Sequence, residues 1–359
     1  MNTKWCNWIL AILLFALVFI AIPLHYSRNN KKEVFRPLFE EYVNKLNKSY
    51  KSNPEEYNRR YEHFLESILE IERLNAESKG PDELKARYGI TYLSDMSKEE
   101  FKNIHLSDEI VKMPKSNKID NDEHAKTEDD GKVYERRKRA TLPLEVDWRN
   151  KGVISSVKNQ GLCGACWAFS TIGTIEAMAA IATNKLEELS VQEMIDCARF
   201  GNNGCLGGDI CILLTWLSQT KATIEKEKAY PLRMIDGTCR RHVNATGVKV
   251  KDFTCDNMVG YEENILELLA THGPVTVAVN ALTWQNYLGG VIQYHCSGER
   301  GDLNHAVQIV GYNIDAEVPY YIVKNSWGVE FGNNGYMKIA IGNNICGLAN
   351  EVASIDVAV

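Results

Sequence analysis

This 359-residue chain has no basic surplus: 41 Lys and Arg stand against 47 Asp and Glu, for a net charge of -6. Without a basic stripe it lacks the electrostatic footprint of a nucleic-acid binder, so no nucleic acid is expected as partner. It has no internal repeat, which excludes repeat architectures. The stretch QGLCGACWAFS at residues 160–170 holds a Cys-x-x-Cys, but no second one accompanies it. A structural zinc site needs four ligands, usually as two half-sites, so zinc is excluded. No βαβ pattern precedes the motif, which excludes a thioredoxin-type dithiol. No metal and no cofactor are expected.

Residues 8–24, WILAILLFALVFIAIPL, form an unbroken apolar run. The run is near the roughly 17-residue lower limit for spanning a bilayer. It lacks a clean small-x-small cleavage site, so residues 1–27 read either as a signal peptide or as a signal-anchor that tethers the chain to a membrane. Both readings send the chain into the secretory pathway, where disulfides persist. The sequons at Asn47 and Asn244 suit that compartment as glycosylation sites.

Three regions follow. Residues 33–139 are charged and Gly-poor at first. Between Glu56 and Asn75 the apolar residues Tyr57, Tyr61, Phe64, Leu65, Ile68, Ile71 and Leu74 recur mostly at steps of three and four, which predicts an amphipathic helix. Gly80-Pro81 ends it, and a second helix is expected after Ser97. Residues 114–139 become an acidic, almost aromatic-free linker. It closes on Arg136, Arg137, Lys138 and Arg139, which read as a processing site for a basic-specific protease. Residues 140–359 are globular. A helical first half, with a long helix entered through Gly161–Gly164, precedes a strand-rich second half that starts near Gly273. That predicts an α+β fold of two packed subdomains with a cleft between them.

Nine of the ten cysteines lie from Cys163 to Cys346. Nine cannot all pair, so at least one is free, bridged to another chain, or reactive. A thiolate at a helix N-terminus is stabilised by unpaired backbone N–H groups and the helix dipole. Cys166 is the natural nucleophile and Cys163 the structural half-cystine. A nucleophilic thiolate needs a proton acceptor, and that acceptor needs an orienting group. Four histidines follow the tetrabasic run: His242, His272, His295 and His305. His305 opens a buried strand. Asn325 follows another strand and can hold an imidazole, with Trp327 shielding that bond from water.

Gln160-Gly-Leu-Cys-Gly-Ala-Cys166-Trp-Ala-Phe-Ser resembles the active-site segment of papain-like cysteine proteases, the cathepsin family, with His305 and Asn325 downstream. The resemblance covers nearly the whole chain. Leu142-Pro143 through Trp148 looks like the family's mature N-terminus, and Gly204-Cys205-Leu206-Gly207-Gly208 like its Gly-Cys-Asn-Gly-Gly loop. Glu56, Arg60, Phe64, Ile71 and Asn75 fill five of six positions of its propeptide motif, with Ser67 where Asn is usual. Gly89 to Asp95 resembles a second propeptide element.

The resemblance implies a papain-like fold, with a helical left half and a β-barrel-like right half, behind an inhibitory propeptide. It implies a cysteine endopeptidase made as a zymogen, acting on proteins and peptides and open to cystatin-type inhibitors, in a lysosomal or extracellular setting. Cys166 attacks as thiolate beside a His305 imidazolium, Asn325 orients His305, and the Gln160 amide with the Cys166 N–H forms the oxyanion hole. Disulfides Cys163–Cys205, Cys197–Cys239 and Cys296–Cys346 are implied; Cys211 and Cys255 stay open between free thiols and a fourth bridge. Gly207, Gly208, Ile210, Ala278, Leu303, Ala306 and Trp327 would contact substrate. Glu351 would end the pocket for the second residue before the scissile bond (P2), as in members of the family that accept Arg there, with Asp209 at its rim. The competing reading is a secreted binding protein that kept the fold; such proteins typically lose the nucleophile, and here Cys166 is present.

Overall fold

The computed structural model describes residues 33–359, apart from residues 79, 82–83, 107–141 and 243. The residue 8–24 run and the tetrabasic stretch Arg136–Arg139 lie outside the described residues. The described chain forms two compact units. One holds the residues up to Glu70 together with Tyr92–Ser97; the other holds Ile71–Thr91 and Lys98–Val359.

In the first unit, helix α1 (residues 33–45) and the start of helix α2 (Pro54–Glu77) pack around Phe39. Its ring centroid lies 5.1 Å from those of Tyr57 and Tyr61 and 5.2 Å from that of Phe64. These are residues of the apolar stripe. The Asn53 Oδ1 accepts the Glu55 and Glu56 N–H groups, capping α2, and Pro54 occupies its first turn, where a missing N–H costs nothing. Asp95 is buried here and accepts hydrogen bonds from Tyr42, Lys48 and Tyr50.

The second unit starts with the end of α2. Asn75 exchanges two hydrogen bonds with the backbone of Tyr88, fixing strand β1 (Arg87–Tyr88). That strand pairs antiparallel with β6 (Tyr287–Gly289). Helix α3 (Lys98–His105) follows Ser97. The globular part then opens with β2 (Glu145–Asp147) and enters its helical half: α4 (Cys166–Thr183), α5 (Val191–Cys197) and α6 (Ile210–Thr220). Then come β3 (Thr223–Glu225), β4 (Gly247–Asp256), α7 (Glu262–Thr271), β5 (Val275–Val279) and β6. The chain finishes with β7 (Val291–Ile292), β8 (His305–Asn313), β9 (Tyr320–Lys324), β10 (Tyr336–Ala340) and β11 (Val352–Ala358). The main sheet runs β3-β4-β11-β5-β8-β9-β10-β7, with β2 added against β8.

Helix α4 is apolar enough and long enough to cross a membrane, but it is 78% buried inside the protein. It is the core helix. Alternating faces are not needed because it is packed on nearly all sides. It stops at Asn184, which adopts the left-handed conformation usual after a helix.

Among the described residues there are four disulfides: Cys163–Cys205, Cys197–Cys239, Cys211–Cys255 and Cys296–Cys346. The pair whose state the sequence left open is therefore a fourth bridge. Loops of 42 to 50 residues are closed, each worth ~4 kcal/mol in the chain-entropy account.

Candidate active site

Three element ends build the site. Cys166 is the first residue of α4, His305 is the first residue of β8, and Asn325 directly follows β9. β8 lies between β5 and β9, so the sheet register fixes His305 against Val279 and Ala306 against Ala278.

Cys166 is the one free cysteine among the described residues, and it is fully buried. The backbone N–H groups of Trp167 and Ala306 face its sulfur. The helix entry thus supplies donors from α4, and β8 supplies one from the residue after His305. Gly164 makes this approach possible: its N–H donates to the Cys205 carbonyl at 2.8 Å, and a Cβ there would sit 2.8 Å from that same oxygen. Gly208 is similar, since a Cβ would press into the Trp167 ring.

The His305 Nε2 lies 2.8 Å from the Asn325 Oδ1. That oxygen also accepts the Ser326 N–H, which identifies it as the oxygen. Nε2 is therefore the protonated nitrogen of neutral His305, and Nδ1 carries the lone pair. Nδ1 is buried without a hydrogen-bond partner. The Trp327 ring packs at a tilt against the imidazole at 4.8 Å, and the Trp284 ring meets it edge-on at 6.0 Å. Both indoles are fully buried and exclude water from the His305–Asn325 bond.

Gln160 is fully buried. Its Oε1 accepts the Ser326 hydroxyl at 2.7 Å, and its Nε2 donates to the Cys163 carbonyl at 3.1 Å and to the His105 carbonyl at 3.4 Å. His105 ends α3, and its ring lies 5.7 Å from Trp327; Phe101, one turn earlier, lies 5.4 Å from the same indole. The N-terminal segment therefore covers this site.

Burial dominates the electrostatics. It pushes the Cys166 thiol up to about 11 and His305 down to about 4; for His305 the Asn325 bond raises and the nearby His105 charge lowers. Burial in this covered form thus disfavours the thiolate and the imidazolium alike. Low-dielectric surroundings penalise two separated charges, and the covering segment removes the water that would solvate them.

The expected pocket residues gather at one place. Ile210, Ala278, Leu303 and Ala306 share an apolar cluster with Cys166 and Trp167. Glu351 lies next to this cluster: its carbonyl accepts the Ala278 N–H, and its side chain is almost wholly buried. Gly207 and Gly208 lead from the Cys163–Cys205 bridge into Asp209, the N-cap of α6. Asn47 and Asn244 are exposed. His242, His272 and His295 lie in connecting segments, none of them an element that builds the site; His242 pairs with Glu225. Sequence reasoning missed Trp284, Phe101 and His105. The first sits outside any motif. The other two lay on a predicted helix, where nothing local says which residue meets the site.

Behind the site, Lys324 donates to the Ser155 hydroxyl at 3.0 Å, and Glu176 of α4 accepts the Leu189 N–H and pairs with Lys158 at 3.3 Å. This polar seam ties the helix that begins with Cys166 to the strand that ends before Asn325.

Residues 142–355 match the family model described as papain family cysteine protease, and residues 39–101 match the cathepsin propeptide inhibitor domain. Cathepsin O of Mus musculus is 40% identical over 75% of this chain and 82% of its own length. Cathepsin O of Homo sapiens is 38% identical over 81% of this chain and 86% of its own. Among solved structures, digestive procathepsin L2 proteinase from Tenebrio molitor larval midgut matches with a TM-score of 0.73 and 30% identity, over 89% of this chain and 99% of that one. The chain belongs to the papain family of cysteine proteases and carries the family's inhibitory propeptide, so it is a zymogen of a cathepsin-like thiol protease.

Proposed function

We propose that Cys166 is the nucleophile, His305 its general base and acid, Asn325 the group that orients His305, and Gln160 the side-chain donor of the oxyanion hole. The observation that carries this reading is the His305 geometry. Its Nε2 is pinned by Asn325, so its lone pair at Nδ1 is left without a partner in a buried site that also holds the one free thiol among the described residues.

In the mature enzyme the Cys166 proton passes to His305 Nδ1. The thiolate adds to the scissile carbonyl, and the oxyanion takes hydrogen bonds from the Gln160 Nε2 and the Cys166 N–H. His305 then gives its proton to the leaving amine, and an acyl-enzyme remains on sulfur. Water, deprotonated by His305, hydrolyses that thioester and returns the thiol. Preorganised oxyanion donors are worth roughly 3–4 kcal/mol each in other hydrolases.

Ile210, Ala278, Leu303 and Ala306 form the walls of the P2 pocket and Glu351 its end, with Gly207, Gly208 and Trp327 along the cleft. Glu351 suits a basic P2 side chain as well as Leu or Phe. Residues 1–27 act as signal or anchor, residues 33–139 as propeptide ending at the Arg136–Arg139 cleavage site, and residues 140–359 as the mature enzyme. Four disulfides favour an oxidising compartment; a lysosomal or extracellular location, glycans on Asn47 and Asn244, and cystatin-type inhibitors fit that setting.

The test is hydrolysis of Phe-Arg and Arg-Arg reporters by processed enzyme under reducing conditions, beside Cys166→Ala. Cleavage by the wild type alone is expected. Equal turnover by both proteins, or none by fully processed wild type, sinks the assignment.

A further inference from the structure

Asp209 and Glu351 bring carboxyl oxygens within 4.8 Å of each other, both buried. They come from distant parts of the chain. Asp209 caps α6: its Oδ1 accepts the Cys211 and Ile212 N–H groups at 2.8 and 2.9 Å. Glu351 precedes β11 and is held by the Ala278 N–H on its carbonyl. The Glu351 Oε1 is buried and finds no donor. Arg300 approaches only to 4.0 Å from the other oxygen, and its side chain is 58% exposed. Cys211, the third group here, is tied to Cys255 and offers no thiolate, so the cluster is not a metal site.

Two ionised carboxylates this close in a dry site repel strongly, and one exposed guanidinium offsets little of that. A proton between them removes the repulsion and gives the orphaned Glu351 oxygen its hydrogen bond. The α6 N-terminus stabilises the Asp209 anion, so the proton resides on Glu351 and is donated to Asp209. Consistently, burial and then the Asp209 charge push Glu351 up to about 8, while burial raises Asp209 against the pull of its two cap hydrogen bonds. The charged and titratable groups facing the pair are Arg300 from the turn before β8 and each member for the other.

We propose that Asp209 and Glu351 hold one proton between them at the closed end of the P2 pocket, and that a basic P2 side chain displaces it. This rests on the reading of Glu351 as that pocket's end. With the proton present the pair carries one negative charge and accepts Leu or Phe at low cost. When Arg or Lys enters, the proton leaves to bulk water and the cation sits between two carboxylates. Selectivity for a basic over an aliphatic P2 residue then rises with pH, and Asp209 is a second specificity-determining residue beside Glu351.

The experiment is the ratio of kcat/KM for Arg-P2 and Leu-P2 reporters, from about pH 4.5 to about pH 7.5, in the processed enzyme. The wild-type ratio is expected to rise about tenfold over that range. Asp209→Asn keeps a good helix cap and gives Glu351 an amide donor, so its ratio should be high and nearly flat. Glu351→Gln should give a low, flat ratio. A second readout is proton release on binding of Arg-P2 and Leu-P2 peptide aldehydes, from titration calorimetry in buffers of different ionisation enthalpy; Arg should release about one proton more than Leu. A flat wild-type ratio, an unchanged rise in Asp209→Asn, or equal proton release overturns the proposal. If Asp209→Asn does not fold, the Glu351→Gln ratio and the wild-type calorimetry decide it. Failure of the protease assignment looks different: neither reporter is then cleaved in a Cys166-dependent way.

Discussion

The backbone carbonyl of His105, the last residue of α3, accepts a hydrogen bond from the Gln160 side-chain amide at 3.4 Å. The amide that would bind a substrate oxyanion is thus engaged by the propeptide, whose Phe101 and His105 rings also pack on Trp327. The covering segment thus uses the donor proposed for catalysis. Covering the site also buries Cys166 and His305, which disfavours the charged form of each.

The raised thiol pKa gives a reactivity test. A thiol with a raised pKa forms thiolate only as pH approaches that value, about 11 here. Alkylation of Cys166 by iodoacetamide at about pH 6 should therefore be at least about a hundredfold slower in the proform than after processing, since only the thiolate reacts. Rates read by mass spectrometry of the Cys166 peptide check this. Equal rates would mean that the covering segment leaves the thiol's ionisation unchanged.

His105 supplies a pH dependence of known sign. Burial holds its pKa down to about 4, below the ordinary 6.5. Between those values the released segment binds a proton that the docked segment does not, so docking weakens as pH falls through that window and is strongest above it. His105→Phe keeps an aromatic on Trp327 but removes the titration. Its activation midpoint should move to lower pH, measured as appearance of Phe-Arg hydrolysis in the full-length proform. Phe101→Ala should act the other way, activating at higher pH, because a buried Phe→Ala change costs about 3–5 kcal/mol of packing.

The free thiol at the start of α4 was legible because two independent features converged on it. The odd number of cysteines in the globular part demanded an unpaired thiol, and Cys166 opens a helix while Cys163 does not. His305 and Asn325 were legible as residues at strand ends. The amphipathic stripe of α2 was also readable, from its spacing. Its partition was not: the helix crosses from one compact unit to the other after Glu70, and periodicity carries no sign of which neighbour a turn will meet. The Cys211–Cys255 bridge and the Asp209–Glu351 contact were unreadable for a common reason. Both need the position of α6 relative to β4 and β11, which only the folded core defines.

Asn325→Ala isolates the orienting bond. It removes the acceptor 2.8 Å from the His305 Nε2 inside a shell made by Trp284 and Trp327. A buried donor left unsatisfied costs about 1–3 kcal/mol. The fall should appear in kcat, about ten- to a hundredfold, with KM little changed, because the proposed substrate pocket lies on other residues. A change confined to KM would remove Asn325 from its assigned role.

Gly164→Ala tests whether close backbone approach sets the position of the proposed nucleophile, Cys166. The added methyl would lie 2.8 Å from the Cys205 carbonyl carbon's oxygen, on a loop already clamped by the Cys163–Cys205 bridge. Neither side can retreat without moving the entry to α4, since the Gly164 N–H is bonded to that same oxygen. Overpacking of this kind costs roughly 1–3 kcal/mol in stability. The displacement it forces falls two residues before Cys166, so kcat should drop by more than the stability loss alone explains. Thermal unfolding of the processed enzyme gives the first quantity and active-site-titrated kinetics the second. A variant that loses stability yet keeps full kcat would show that the loop yields without carrying Cys166 along.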